Sequence, residues 1–177
     1  ILERVPHAVL WLLNSPRFAQ DNLKAEARAR GIRDGRIIFG NLEPRHQHLK
    51  RTQLADLFLD TGCNAQSSAV DALWSGTPLL TCTPETGGRM ANRVAASMLH
   101  EVGLEEMVTT SLSAYEELAV ALANNTERVW TLRHKLEKAR ETSPLFNTKA
   151  WVSSWQQAVA QVWELREQGA EPEDVHL

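Results

Sequence analysis

The sequence predicts an α/β fold: a Rossmann-like parallel sheet with flanking helices, followed by an all-helical segment. Two observations carry this prediction. Short apolar runs alternate with helical patterns from Ala8 to Gly103, and only helical patterns follow from Ser111 onward. The first run, Ala8–Leu13, is apolar throughout, which is typical of a strand buried on both faces of a parallel sheet.

Each predicted strand of the α/β part is followed by a helix. Asp21 is placed to cap the first helix, and Gly31 to close it. The alternation predicts parallel βαβ units with right-handed crossovers, whose ligands bind at the carboxyl ends of the strands. The predicted strands and helices, in order, are Ala8–Leu13, Asp21–Arg30, Arg36–Phe39, Arg45–Gln53, Leu57–Leu59, Ser67–Ser75, Pro78–Thr81 and Asn92–Val102.

Three further helices are predicted after Ser111. The last one carries apolar residues at helical spacing, and we expect this stripe to pack on the domain's own sheet; docking on a partner domain is the alternative. The predicted helices are Ala114–Ala123, Glu127–Arg140 and a long helix capped by Asn147 that runs to about Gln168. The stripe consists of Trp151, Trp155, Val159 and Val162, with Trp163 beside them.

Length and charge limit the kinds of protein this can be. A chain of 177 residues with 43% hydrophobic residues can bury one core, so we expect one domain and a polar, disordered tail, Gly169–Leu177. The net charge of −3 argues against a nucleic-acid partner bound by phosphate neutralisation. No apolar run reaches membrane-spanning length, so no membrane partner is expected. Cys63 and Cys82 form neither a disulfide framework nor a metal-ligand spacing, which favours a reducing, intracellular compartment.

The first candidate site is the turn between the third predicted strand and its helix. Gln66, Ser67 and Ser68 open that helix, where free backbone N–H groups and the positive end of the dipole favour a phosphate. Asp71 shares a helix face with the serines, so the ribose beside a bound diphosphate would meet its carboxylate. The alternative is structural, because Ser68-x-x-Asp71 also matches a capping box at a helix start.

The second candidate site follows the second predicted strand. Arg45 and His48 are three residues apart, so a flat cation and a ring on one side of a short helix could flank a planar base. Pro44 stiffens the turn after Glu43 and leaves nearby backbone groups available to read a base edge. The alternative is an ordinary solvated helix start. His46 and His48 face different ways, so no metal site is expected here.

A third cluster, Pro84–Arg89, is weaker. Gly87 and Gly88 precede a predicted helix and could approach a phosphate. A Gly-Gly pair alone is weak evidence, and a flexible loop is the simpler interpretation. Arg93, inside the following helix, is either an anion partner or a surface residue.

Several segments, in order along nearly the whole chain, resemble the C-terminal catalytic half of the intracellular protein O-GlcNAc transferases. The most specific is Ser143-Pro144-Leu145-Phe146-Asn147-Thr148-Lys149, which separates this family from other glycosyltransferases with two Rossmann-like halves. The other segments are Arg36–Phe39, Gln53–Asp56, Leu59–Thr61, Cys63-Asn64, Asp71-x-Leu73-Trp74-x-Gly76-Thr77-Pro78 and Arg93–Ser97.

The resemblance implies a fold, a donor and a set of site residues. Residues 1–168 would be the nucleotide-sugar-binding half of a GT-B glycosyltransferase that moves N-acetylglucosamine from UDP-GlcNAc to Ser or Thr hydroxyls of cytoplasmic and nuclear proteins. It implies neither a cofactor nor a metal, because the helix N-terminus supports the departing diphosphate. The implied uridine-binding residues are Glu43, Pro44, Arg45 and His48, the diphosphate-binding residues Gln66, Ser67 and Ser68, and the ribose-binding residue Asp71.

The chain departs from the family pattern at three places. Gln66-Ser67-Ser68 stands where the family usually has a His-Thr-Thr turn. Serine keeps the hydroxyl, whereas glutamine keeps an N–H donor without a charge, so stabilisation of the leaving group would be weaker. Glu43 stands where the family often has a small residue, and the loop Glu85–Arg93 is longer than the family pattern.

The resemblance also places parts of the enzyme before Ile1. These are a first strand with a diphosphate-binding lysine, the acceptor-side half and a helical-repeat array that selects protein substrates. No residue of this chain is a convincing general base, so we expect the isolated chain to lack transfer activity and protein acceptors to bind through upstream regions. Ile1–Val5 is itself typical of the last turn of a helix that Pro6 ends.

Other functions stay open at this point. A transferase that uses another sugar nucleotide, such as a protein O-fucosyltransferase, would share the fold, and comparing UDP with GDP separates the two. The uncharged Gln66 is also compatible with a non-catalytic nucleotide-binding or scaffold module. The least specific alternative is a truncated product without an independent function.

Overall fold

A computed structural model of the chain describes residues 1–14, 16, 18–61, 66–83, 89–169 and 171. As predicted, strands and helices alternate first, and helices alone make up the last part. The strands are β1 (Leu10–Leu13), β2 (Ile37–Gly40), β3 (Phe58–Leu59), β4 (Leu79–Cys82) and β5 (Val108–Thr109). The helices are α1 (Ala19–Ala29), α2 (Arg45–Thr52), α3 (Gln66–Trp74), α4 (Met90–Glu101), α5 (Leu112–Ala123), α6 (Thr126–Thr142) and α7 (Thr148–Glu167), with 3-10 turns at Glu105–Met107 and Pro144–Phe146.

All strand pairs in the described ranges are parallel, which confirms the predicted βαβ organisation. β1 pairs with β2, with Leu10 opposite Ile37. β4 lies between β3 and β5 in a separate three-stranded group, with Leu59 opposite Leu80. The segments that follow β2 and β3 lead directly into α2 and α3, so both candidate sites lie at carboxyl ends of strands.

The hydrophobic core surrounds β4. All four residues of this strand are buried, and helices α3, α4, α5 and α6 supply the side chains packed around it. Leu73 on α3 and Leu136 on α6 are both fully buried. The doubly covered environment that a continuous apolar run predicts, expected from the sequence for Ala8–Leu13, is found at Leu79 and Leu80 instead.

The same prediction is wrong for the first strand. Val9 and Leu13 are 54% and 43% exposed, and the rest of β1 is half-buried. Helix α1, which follows β1, buries none of its residues, so it covers little of the neighbouring sheet. An apolar run shows that a strand has two apolar faces, and neighbouring elements decide whether both are covered.

Two further sequence predictions differ from the structure, the start of α1 and the number of strands. Asp21 does not cap α1, because the helix begins earlier and Phe18 occupies the N-cap position. Asp21 lies in the first turn, where its negative charge interacts favourably with the helix dipole. β5 was not predicted, since two residues after a 3-10 turn are too short to show a period. Ile1–Val5 forms a turn in which the Val5 N–H donates to the Ile1 carbonyl at 3.0 Å.

Helix α7 contradicts the expectation that its stripe packs on the domain's own sheet. None of its residues is buried, because its packing is against the Pro144–Phe146 turn at its start. The rings of Trp151 and Trp155 stack on each other at 5.8 Å with an interplanar angle of 3°. The exposed side chains of the stripe are Trp151, Trp155, Val159, Val162 and Trp163, at 51–63% each.

No helix in the described part of the chain is both long and apolar enough to cross a membrane. Of the predicted disordered tail, Gly169–Leu177, the structure describes only Gly169 and Glu171. Residues 170 and 172–177 lie outside the described residues.

Candidate functional site

The uridine-binding segment predicted from the sequence is an exposed loop that runs into α2. Pro44 takes the N-cap position of α2 with φ −52° and ψ 143°, an extended conformation that a proline ring favours. Arg45 is therefore the first residue of the helix, and Glu43 lies in the loop before it. Both side chains are exposed, whereas His48 is half-buried one turn further along.

The predicted diphosphate-binding residues lie at the N-terminus of α3. Gln66, Ser67 and Ser68 form its first turn, and all three are exposed. The first N–H groups of a helix have no partner within it, so this turn presents donors and a positive dipole end. Residues 62–65, which precede the helix, lie outside the described residues.

The capping-box alternative for Ser68 and Asp71 is wrong. Because α3 begins at Gln66, Ser68 is its third residue, and the first turn contains no acidic side chain. Asp71 lies in the second turn and is bound by a residue of another helix. Its carboxylate therefore does not serve as the acidic partner of a capping box.

Asp71 is held by Arg45. An Arg45 Nη2 group donates to Asp71 Oδ1 at 2.8 Å, which forms an ion pair between α2 and α3. The Asp71 side chain is 17% exposed and that of Arg45 76% exposed, so the pair lies at the surface with the carboxylate on its inner side. The structure thus brings together the two clusters that were predicted separately from the sequence.

His48 rests against a residue that the sequence did not single out. The His48 and Trp11 rings lie 6.4 Å apart, centre to centre, with an interplanar angle of 46°. Arg51, one turn further along α2, places its guanidinium carbon 4.9 Å from the centre of the Trp11 ring. Within an apolar run such as β1, a tryptophan is indistinguishable from a core residue, so sequence alone offered no signal for it.

A buried polar group lies at the carboxyl end of β3. Asp60, the residue after β3, is 4% exposed, and its Oδ2 accepts a 2.7 Å hydrogen bond from the Thr81 hydroxyl. Burial raises the pKa of the nearby Tyr115 phenol above its ordinary range, and electrostatic interaction with Asp60 and Cys82 adds to this effect. These side chains connect the carboxyl ends of β3 and β4.

The third cluster from the sequence, Pro84–Arg89, is described only at Arg89, which takes the N-cap position of α4. Arg93 is exposed on that helix. Among the residues that the structure describes, no three His, Cys, Asp or Glu side chains are grouped so that they could hold a metal ion.

The sequence matches glycosyl transferase family 41 over residues 1–155. This chain belongs to that family. It is 38% identical over 98% of its length to a probable UDP-N-acetylglucosamine–peptide N-acetylglucosaminyltransferase, SEC, of Arabidopsis thaliana. It is 35% identical over 96% of its length to a UDP-N-acetylglucosamine–peptide N-acetylglucosaminyltransferase of Caenorhabditis elegans. The chain spans 18% and 14% of the length of these two relatives.

A solved structure supports the fold of this family 41 chain. An O-GlcNAc transferase mutant from Thermobaculum terrenum superposes with a TM-score of 0.81 at 24% identity. The match covers 92% of this chain and 31% of that one. The predicted fold class, a parallel sheet with flanking helices as in one half of a GT-B enzyme, is thereby confirmed.

Proposed function

We propose that this chain is the UDP-binding portion of a protein O-GlcNAc transferase. The ion pair between Arg45 and Asp71 supports this most strongly, because it joins the predicted uridine-binding segment to the second turn of α3, next to the predicted diphosphate-binding turn. A nucleoside diphosphate carries base, pentose and phosphates in that order. His48, the Arg45–Asp71 pair and the first turn of α3 follow the same order across the two helices.

In this proposal the chain acts on the donor. The acceptor hydroxyl oxygen bonds to the anomeric carbon of the sugar while the bond from that carbon to the diphosphate breaks. Negative charge then grows on UDP, and the N–H groups and hydroxyls at Ser67 and Ser68 stabilise it without a metal or another cofactor. Asp71 accepts hydrogen bonds from the ribose hydroxyls, and the acceptor proton leaves to a group outside this chain.

The acceptor side of the proposal comes from the relatives. Both are named as peptide N-acetylglucosaminyltransferases and are several times longer than this chain. Protein Ser and Thr hydroxyls in the cytoplasm, the nucleus or both would be the acceptors, bound through regions beyond these residues. The isolated chain would accordingly bind UDP and transfer no sugar.

Calorimetric titration of the chain with UDP and GDP tests the proposal. UDP is expected to bind at least about tenfold more tightly, and Asp71→Ala to weaken it by about tenfold or more, since hydrogen bonds to a charged group are lost. Asp34→Ala, which removes an exposed carboxylate paired with Arg28 elsewhere, is the matched control. Tighter binding of GDP would favour the O-fucosyltransferase alternative, and no binding of either nucleotide would refute the proposal.

The uncharged Gln66 also allows a test of the alternative that the chain is a non-catalytic nucleotide-binding module. The protein that contains this chain, assayed at full length with UDP-GlcNAc and a Ser/Thr peptide, is expected to transfer the sugar and to do so faster with Gln66→His. Absence of transfer by both versions, with UDP binding intact, would identify a nucleotide-binding module instead.

A further inference from the structure

The Trp11 indole packs against two residues of α2, the helix that the predicted uridine-binding segment enters. It lies in β1, opposite Ile38 of β2, and its ring meets the His48 ring on one side and the Arg51 guanidinium on another. The strand is fixed in the sheet, whereas α2 carries the predicted nucleoside contacts. Trp11 is therefore the point where the sheet supports the helix that would hold the base.

Arg51 carries this support into the loop before α2. One Nη2 group donates to the Asn41 carbonyl at 2.8 Å, and Nη1 lies 3.9 Å from the Glu43 carboxylate. The Arg51 side chain is 26% exposed, and its buried Nε has no hydrogen-bond partner among the described residues. The indole face and the loop thus hold the guanidinium in place together.

Gly40 leaves the room that the indole occupies. A Cβ atom at this position would lie 2.5 Å from Trp11 Nε1 and 3.2 Å from an Arg51 Nη1 atom. The 2.5 Å distance is too short for a carbon atom, so a side chain at Gly40 would displace the indole, whereas the 3.2 Å distance requires only a small shift of the guanidinium. The last residue of β2 is therefore small because Trp11 and Arg51 pack over it.

We propose that Trp11 is a positioning residue for nucleoside recognition, acting through His48 and Arg51 on the segment from Glu43 to His48. The inference rests on the proposed function, since it concerns how tightly that segment holds the uridine part of UDP. The aromatic and cation–π partners of Trp11 in the described part of the chain, His48 and Arg51, both lie on α2, whereas the predicted diphosphate-binding residues lie on α3. Trp11 therefore affects recognition of the nucleoside and leaves recognition of the diphosphate unchanged.

Titration with UDP and with inorganic pyrophosphate separates these two parts. Trp11→Leu is expected to weaken UDP binding about tenfold, while pyrophosphate binding stays within about twofold. Trp11→Phe keeps an aromatic face and should restore most of the UDP affinity. Trp130→Leu is the matched control, because Trp130 lies 6.2 Å from His134 at 49° on α6, a nearly identical ring pair away from the site.

Gly40→Ala provides a second route to the same displacement. It is expected to lower UDP affinity as Trp11→Leu does, with pyrophosphate again unaffected, and combining the two changes should add little. Each variant's melting temperature shows whether it is folded, and Gly40→Ala keeps the test valid if Trp11→Leu does not fold. Equal losses for UDP and pyrophosphate, or no loss for UDP in either variant, would overturn this inference alone. Wild-type chain that binds pyrophosphate but not UDP would overturn the proposed function as well.

Discussion

Arg45 donates a 2.8 Å hydrogen bond to Asp71 across the gap between α2 and α3. The pair satisfies a carboxylate that is only 17% exposed, and it links the two helices that carry the candidate site. A ribose bound at Asp71 would share the carboxylate with Arg45, because each oxygen accepts more than one hydrogen bond. Arg45 would then orient Asp71 in addition to facing the nucleotide itself.

Arg45→Ala is expected to separate stability from binding. The Arg45 side chain is 76% exposed, so its removal should change the free energy of unfolding by less than about 1 kcal/mol. UDP affinity should nevertheless fall severalfold, since Asp71 loses the group that orients it. Denaturant unfolding and calorimetry measure the two effects, and Arg28→Ala, which breaks the exposed pair with Asp34, is the control. Equal UDP affinity in the Arg45 and Arg28 variants would contradict this role.

Gln66→His should make UDP binding depend on pH. A histidine at the exposed start of α3 is neutral above its ordinary pKa of about 6.5 and positively charged below it. The charge adds to the dipole at a phosphate site, so the gain in UDP affinity should appear as the pH falls from 8 to about 5.5. Gln156→His on exposed α7 should show no such gain. The prediction fails if both histidine variants respond to pH alike.

Tyr115 should stay protonated in the folded chain well above its ordinary pKa of about 10. Burial is the main cause, and electrostatic interaction with Asp60 and Cys82 adds to it. The pKa is raised in the folded state, so this contribution to stability is complete below pH 10 and is lost as the pH rises above it. The chain has one tyrosine, so tyrosinate absorbance reports it alone, and the same titration in denaturant is the control. A normal titration in the folded chain would contradict its burial.

Ser143→Ala should destabilise the chain by about 1–3 kcal/mol. The Ser143 hydroxyl donates to the Glu101 carbonyl at 2.7 Å and accepts from the Leu145 N–H at 3.2 Å, and the residue is 7% exposed. It joins the end of α6 to α4 and starts the turn that leads into α7. Ser153→Ala, on the exposed middle of α7, should change the denaturation midpoint little. Equal midpoints for the two variants would show that the first residue of the Ser-Pro-Leu-Phe-Asn-Thr-Lys segment is not a structural joint.

The periodicity of apolar residues predicted which side chains share a face of a helix or strand. It predicted less well whether another element buries that face. Leu79 and Leu80 are fully buried, because four helices surround β4. The same type of pattern in β1 gave a half-exposed strand, since α1 buries nothing. On α7 the predicted stripe exists and remains exposed. Tertiary neighbours that decide these outcomes are far away in the sequence.

The candidate site was predicted in two pieces. Spacing placed Arg45 with His48 and placed the serines with Asp71, but the contact between the pieces joins residues 26 positions apart, and no local pattern encodes it. The binding roles of these residues stay predictions. Trp11 and Arg51 were missed because a strand tryptophan and a helix arginine are ordinary residues until their contact is seen.

The exposed tryptophans determine how this chain would fluoresce. Five of the six indoles, at Trp74, Trp130, Trp151, Trp155 and Trp163, have 45–63% of their surface exposed. The tryptophan emission of the folded chain should therefore already lie at a long wavelength, and unfolding should shift its maximum little. A surface that covered the α7 stripe would shift the emission toward the blue, so the wavelength of the native protein reports whether that helix is occupied.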